Sequence, residues 1–189
     1  MYNNKYWFWE GVIPADVCDR LVKENFDEKQ AKTAAIGGKD GKLVLDMDYR
    51  QTDIVWVHQG AELFDTTFDL IVSANKNAGW NIDITGLEDV QLGRYKAGGH
   101  YDWHEDIFVP DSGGYQRKLS CSIQLSDPDT YEGGDLIVKL DAKGEDLFIA
   151  PRKQGSVVVF PSMAVHKVTP VTSGERFSAV GWMRGPAFR

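Results

Sequence analysis

The sequence predicts a mainly β domain with some helix (α+β), a sandwich or jelly roll carrying two main helices near its amino terminus. Three observations point there. The 189 residues include 19 glycines and six Trp, seven Tyr and nine Phe, the composition of many turns between short aromatic-rich strands. Helical periodicity is confined to the residues before Trp80. After Trp80, short apolar or alternating runs are separated by turn signals.

Taken in order, Tyr6 to Val12 reads as a first strand. Pro14-Ala15-Asp16 opens a helix on which Val17, Cys18, Leu21 and Val22 share one face and Asp19, Arg20, Lys23 and Glu24 the other. A second helix is expected from Ala61 to Asn77, where Phe64, Phe68, Ile71 and Val72 form an apolar stripe. Between the helices, Gly37-Gly38 and Asp40-Gly41 mark turns, and Thr52 to His58 suits a strand. Short strands then follow at Asp89 to Tyr95, His100 to Phe108, Lys118 to Leu125, Asp135 to Leu140, Asp146 to Ala150, Ser156 to Phe160, Val165 to Thr169 and Arg176 to Met183. That spacing favours a sandwich or jelly roll with the helices packed on one sheet.

Charge and composition exclude several partners. There are 21 Lys+Arg against 28 Asp+Glu, a formal charge of −7, and 42% of residues are hydrophobic, as expected of a soluble globular domain. The basic residues are scattered, which argues against nucleic acid. The start, MYNNKYWFWEGVIPAD, lacks the basic and apolar regions of a signal peptide, and no apolar stretch approaches the roughly 20 residues of a membrane helix. Cys18 and Cys121 have no C-x-x-C partner and sit among apolar or small residues. They read as reduced, buried thiols of an intracellular, cytoplasmic protein, with a disulfide between them left open.

The chemistry centres on the histidines His58, His100, His104 and His166. In His104-Glu105-Asp106 an imidazole and a carboxylate are two residues apart, so on a strand they project from the same face. One further imidazole completes the two-histidine, one-carboxylate set suited to Fe(II) with open coordination positions. His166, following the buried run Val157 to Phe160 and the turn-forming Pro161-Ser162, is the natural third ligand. Alone, an HxD pair is also consistent with two solvated residues at a strand end. Arg176 adds to the pattern. If 166–169 and 176–183 form a hairpin around a turn from Pro170 to Glu175, its guanidinium enters the same interior, where it needs an anion such as a dicarboxylate. Pairing with Glu175 or Asp135 is the structural alternative.

The stretch from Tyr95 through Gly98 and Tyr101 to His104 and Asp106 resembles the YxxGxxYxxHxD signature of prolyl 4-hydroxylase-like Fe(II)/2-oxoglutarate dioxygenases. The strand Lys118 to Ser126, the turn Tyr131-Glu-Gly-Gly-Asp-Leu136, the block Gly155 to Pro161, His166, and Arg176-Phe-Ser178 leading to Trp182 match in the same order. The resemblance is detailed over residues 90 to 183 and looser at the first helix. It implies a double-stranded β-helix (jelly roll), with residues 1–85 as a helical support region and 86–185 as the catalytic core. It also implies Fe(II) bound by His104, Asp106 and His166. Arg176 would hold the distal carboxylate of 2-oxoglutarate, with Tyr95 as a hydroxyl donor and Gln124 as a polar contact. Leu136, Val168 and Ser178 would line the pocket, and Trp182 would close its floor or serve as a core aromatic.

The implied reaction uses O2, with ascorbate as reductant, and hydroxylates a prolyl residue of a peptide or protein. The same chemistry on a free amino acid or other metabolite, and a non-catalytic cupin-like binding domain, are the alternatives. Trp103, Arg117 and Tyr131 are candidates for a peptide groove, and Asp111 to Tyr115 reads as a mobile loop that is either a lid or an ordinary surface turn. The Gly133-Gly134 pair reads as a turn with positive φ. An H-x-x-x-H pair of His100 and His104 on a helix would suit zinc, but the intervening residues lack the Glu of a zinc protease and Gly98-Gly99 disfavours helix, which leaves a zinc hydrolase as a distant alternative and His100 facing either the substrate channel or solvent. His58 reads as a surface histidine. Oligomeric state is not legible.

Overall fold

In the computed structural model, which describes residues 4–37 and 43–188, two antiparallel sheets face each other and both helices pack on the outer face of the larger one. The larger sheet runs in the order Trp7–Trp9, Val157–Pro161, Tyr115–Gln124, Arg176–Pro186, Val90–Tyr95, Asp53–Val57 and Lys32–Thr33, with Gly86–Leu87 added beside Arg176–Pro186. The smaller sheet has the order Leu147–Ile149, Leu136–Lys139, His166–Val168, His100–His104 and Arg50–Gln51. Two short ribbons, Tyr131–Gly133 with Val171–Gly174 and Ile36–Gly37 with Leu43–Val44, complete it. This is the expected jelly-roll arrangement. Of the turns predicted between the helices, Gly38 and Asp40-Gly41 lie outside the described residues.

Strand alternation divides the larger sheet into a helix-facing side and a cavity-facing side. Val157 and Val159 join the core under the helices, whereas Val158 and Phe160 join the core between the sheets. Leu119, Cys121 and Ile123 likewise belong to the helix-side core, which turns Ser120, Ser122 and Gln124 inward. A polar row therefore faces the interior of the sandwich, and burying so many hydroxyl and amide groups requires partners inside.

Helix α1 (Ala15–Asn25) starts where Pro14 predicts, and α2 (Glu62–Asn77) matches its predicted span. The buried face of α2 is rotated from the predicted stripe. Leu63, Phe64, Thr67, Ile71 and Ala74 are buried, while Phe68 and Val72 are exposed. The reason is close packing at Thr67. Its hydroxyl donates to the Leu63 carbonyl at 2.7 Å, and its methyl approaches Gly181 so closely that a Cβ there would lie 2.5 Å away. A bulkier residue at either position would push the helix off the sheet.

Two other expectations are corrected. His166–Val168 and Arg176–Pro186 are not a hairpin: they lie in opposite sheets, and the intervening Val171–Gly174 is itself a strand paired with Tyr131–Gly133. The strand expected over His100 to Phe108 ends at His104, because the backbone N–H groups of Asp106 and Ile107 both donate to the Ser162 carbonyl, at 2.9 and 3.0 Å, instead of continuing a ladder.

Candidate active site

Register in the smaller sheet sets His166 directly opposite His104. The short link after His104, pinned on Ser162, then swings Asp106 under both rings. One ligand atom from each of His104, Asp106 and His166 lies within 4.8 Å of the others, and these side chains are at most 9% exposed. Nε2 of His104 is 3.8 Å from Oδ1 of Asp106, and Nε2 of His166 is 3.4 Å from its Oδ2.

Each imidazole is oriented by its own backbone. Nδ1–H of His104 donates to the Asp102 carbonyl at 2.7 Å, and Nδ1–H of His166 to the Ala164 carbonyl at 2.9 Å. Both Nε2 lone pairs are thereby left facing Asp106, the tautomer a metal ligand needs. Burial pushes the His104 imidazole well below its ordinary value, to about 3, helped by the adjacent His166, so it stays neutral. Burial alone would raise the Asp106 carboxyl. The two imidazoles beside it, His166 first, outweigh that effect and hold it below the usual carboxylate range. Oδ2 of Asp106 is nevertheless buried without a hydrogen-bond partner. A buried carboxylate oxygen left without a hydrogen bond is costly unless a cation sits between it and the two imidazole nitrogens, so the residues present fit a divalent metal.

The triad opens on a cavity of about 720 Å³ between the sheets. Tyr95, Leu136, Val168, Ser178 and Trp182 line it. Arg176 is 3% exposed and stands opposite Tyr95 in register. Its Nη1 donates to the Ser178 hydroxyl at 3.1 Å, and no carboxylate pairs with it among the described residues. Of the two acids considered for it, Asp135 pairs instead with Arg152 at 2.9 Å. Gln124 lies in a small adjoining recess with Arg176 rather than on the main cavity wall, and its Nε2 donates to the Tyr131 hydroxyl at 2.8 Å.

The proposed groove residues separate. Arg117 lies at the cavity wall, its guanidinium 3.9 Å from the Trp182 ring centre and paired with Glu88 at 2.6 Å. Tyr131 is buried beside Gln124. Trp103 does not line the cavity and is flanked by the Lys139 and Lys167 ammonium groups at 4.3 and 4.6 Å; a register shift against His166–Val168 breaks the strand's alternation, so that Tyr101 and His104 both face the cavity. The Asp111 to Tyr115 segment is a closed turn. The Asp111 carboxylate accepts from the N–H groups of Gly113 and Tyr115, at 2.9 and 3.0 Å, and pairs with Arg184. The cavity rim is formed instead by Phe108 and Val109, the latter 89% exposed. Sequence reasoning missed Arg50 and Gln91, which also line the cavity. The inward parity of Gln91, two and four residues before Gly93 and Tyr95, was the available signal.

His100 is held outside the triad, its ring nitrogens 2.9 and 3.0 Å from the Gly98 and Asp48 carbonyls. His58 is exposed and 2.9 Å from Asp89. Cys18 and Cys121 are both free and buried. No helix among the described residues is long and apolar enough to cross a membrane.

Residues 90–184, just over half of the chain, match the 2OG-Fe(II) oxygenase superfamily. The chain belongs to that superfamily. The oxygenase is 42% identical to a PKHD-type hydroxylase of Synechococcus sp. (strain CC9605) over 100 residues, which cover 53% of this chain and 43% of the relative. It is 45% identical to a PKHD-type hydroxylase of Parvibaculum lavamentivorans over 96 residues, covering 50% and 41%. The chain thus spans less than half the length of the curated relatives it matches. Among solved structures, it resembles a Pseudomonas putida prolyl-4-hydroxylase with a TM-score of 0.75 at 22% identity, covering 98% of this chain and 95% of that one. A viral collagen prolyl hydroxylase from Paramecium Bursaria Chlorella virus-1, in a 2OG complex, gives 0.72 at 22% identity, covering 97% of each. At these identities the structural likeness establishes the fold.

Proposed function

We propose that the oxygenase uses Fe(II), O2 and 2-oxoglutarate to hydroxylate a prolyl residue in a peptide or protein, releasing succinate and CO2. The observation that carries this reading is the pairing of two features in one sandwich: a two-histidine, one-aspartate triad open to a large cavity, and a buried arginine without a carboxylate partner among the described residues. His104, Asp106 and His166 would hold the metal, which when bound supplies the oxidising chemistry. O2 contributes one oxygen to succinate and the other to the hydroxylated product, so the reaction balances without a further reductant. Ascorbate belongs to the reading only as a reagent that restores Fe(II) after unproductive cycles.

Each protein group then has a task. The Asp102 and Ala164 carbonyls keep both imidazoles in the ligating tautomer. Arg176 presents a planar donor fork to the distal carboxylate of 2-oxoglutarate, held in place by the Ser178 hydroxyl and the Tyr95 ring. Tyr95 offers its hydroxyl to the same cosubstrate, and Gln124 and Tyr131 form the polar end of the recess. Leu136, Val168 and Phe160 keep water from the reacting centre. The polypeptide chain of the substrate enters over the rim at Phe108 and Val109. The PKHD-type relatives and the prolyl hydroxylase fold support this substrate class, and the reduced thiols support an intracellular setting.

The test is succinate formation from 2-oxoglutarate with Fe(II) and O2, coupled to mass spectrometry of a proline-containing peptide library for a product heavier by one oxygen. Succinate without a peptide product would overturn the peptidyl substrate. An anaerobic mixture with Fe(II) and 2-oxoglutarate that shows no metal-to-ligand charge-transfer band would overturn the site itself.

A further inference from the structure

Arg50 is the cavity cation that this reading leaves without a counter-charge. It lies on a short strand beside His100–His104 and is 8% exposed. Its guanidinium sits over the Tyr101 ring, 4.4 Å from the centre, and that ring is stacked on His104 at 3.5 Å. One aromatic layer therefore separates Arg50 from the metal triad. Its only side-chain acceptor among the described residues is neutral: Nη2 donates to Oε1 of Gln91 at 2.5 Å. Nε is buried with no partner, and no described carboxylate lies within ion-pairing distance.

The other charges at the cavity are paired or open to solvent. Arg117 is neutralised by Glu88, and Glu105 is exposed at the rim. With Fe(II) and 2-oxoglutarate in place, the positive charges of the metal and Arg176 are balanced by Asp106 and the two carboxylates of the cosubstrate. Arg50 would remain a buried cation with no counter-charge among the described residues, facing the space left for the substrate. A backbone carbonyl can accept its hydrogen bond but cannot cancel its charge, whereas a carboxylate does both.

We infer that the hydroxylated substrate carries a carboxylate that docks on Arg50, so that the enzyme selects prolyl substrates with an anionic group beside the target ring. This rests on the oxygenase reading above and names its substrate class more narrowly. Two sources supply that chemistry: an acidic side chain next to proline within a peptide, and the α-carboxylate of a carboxy-terminal proline.

Trp56 and Trp182 line the same cavity and serve as fluorescence reporters. The full chain, held anaerobically with Fe(II) and 2-oxoglutarate, is titrated with two matched pairs of peptides. One pair is Ac-Ala-Pro-Glu-Ala-amide and its Gln isostere; the other is Ac-Ala-Ala-Pro as free acid and as amide. The expected result is at least tenfold tighter binding of the acid in one pair, which identifies the source. In Arg50→Gln the gap closes, and in Arg50→Lys part of it remains. Gln91→Glu, which supplies Arg50 with an internal carboxylate and needs no loss of the arginine, closes the gap as well. Equal affinities within both pairs, no binding of any peptide, or a gap that survives both Arg50→Gln and Gln91→Glu would overturn the inference. A normal charge-transfer band with no acid preference removes only the docking inference, whereas absence of the band in the unaltered protein removes the oxygenase reading beneath it.

Discussion

Nε2 of His166 lies 3.4 Å from Oδ2 of Asp106, and that oxygen has no hydrogen-bond partner although it is buried. A buried carboxylate oxygen that takes no hydrogen bond is stabilised beside an imidazole nitrogen by a third, positive partner between them. The behaviour of metal, protons and cosubstrate at this site follows from that relationship.

Metal should stabilise the fold through this pair. At Fe(II) or Mn(II) a hundredfold above the dissociation constant, linkage gives about 2.7 kcal/mol of added stability, a rise in Tm of several degrees by calorimetry. In His104→Ala or Asp106→Ala the increment disappears and turnover with it. A metal-dependent Tm shift retained in both variants would place the ion elsewhere.

Acid should destabilise the metal-free protein in a defined window. The His104 imidazole is depressed from 6.5 to about 3 in the folded state, chiefly by burial. Between those values the unfolded chain binds a proton that the folded chain refuses, so stability is complete above pH 6.5 and falls as pH drops toward 3. Asp106, also held below its ordinary value of 3.8, adds a further loss only as pH falls below 3.8. Urea midpoints measured from pH 7.5 to 4 should decline, and His104→Gln, which cannot titrate, should flatten the slope. Identical profiles for the two proteins would count against a buried neutral imidazole.

Replacing Arg176 should separate cosubstrate binding from metal binding. A charge-assisted pair of this kind contributes about 1.5–3 kcal/mol, so Arg176→Ala should raise the Michaelis constant for 2-oxoglutarate by about 10- to 100-fold. Metal affinity should change little. An unchanged constant would remove Arg176 from the cosubstrate pocket.

Gly134 should be indispensable to that pocket. Its φ is +67°, and a Cβ would stand 2.8 Å from Cδ of Arg176 and 2.9 Å from Cγ2 of Val171. Gly134→Ala therefore incurs about 1–2 kcal/mol of left-handed backbone strain and pushes the arginine stem aside. The expected outcome is weaker 2-oxoglutarate binding by isothermal titration together with a lower Tm, while the metal-dependent Tm shift persists. Unaltered cosubstrate affinity would mean that the arginine stem adapts freely.

Local sequence determined the elements and the chemical types. Pro14 and the period of 17 to 22 placed the first helix, and the alternation of Arg176, Ser178 and Trp182 put three side chains on one face of one strand. His104 and Asp106 were recognisable because their spacing is short and their ordered neighbours recur in a known family. Pairing across the sandwich was not legible, since a strand's period says which face a residue occupies and not which strand will face it. The assumed hairpin between His166 and Arg176 failed for that reason: the chain crosses between sheets there, through a strand that pairs with Tyr131–Gly133. Only the tertiary structure set His166 opposite His104, turned Asp106 beneath them through the Ser162 carbonyl, and carried Trp103 to the outer surface. It also brought in Arg50, a solitary cation in the sequence that acquires meaning when the fold buries it beside a neutral glutamine and leaves its charge facing the cavity.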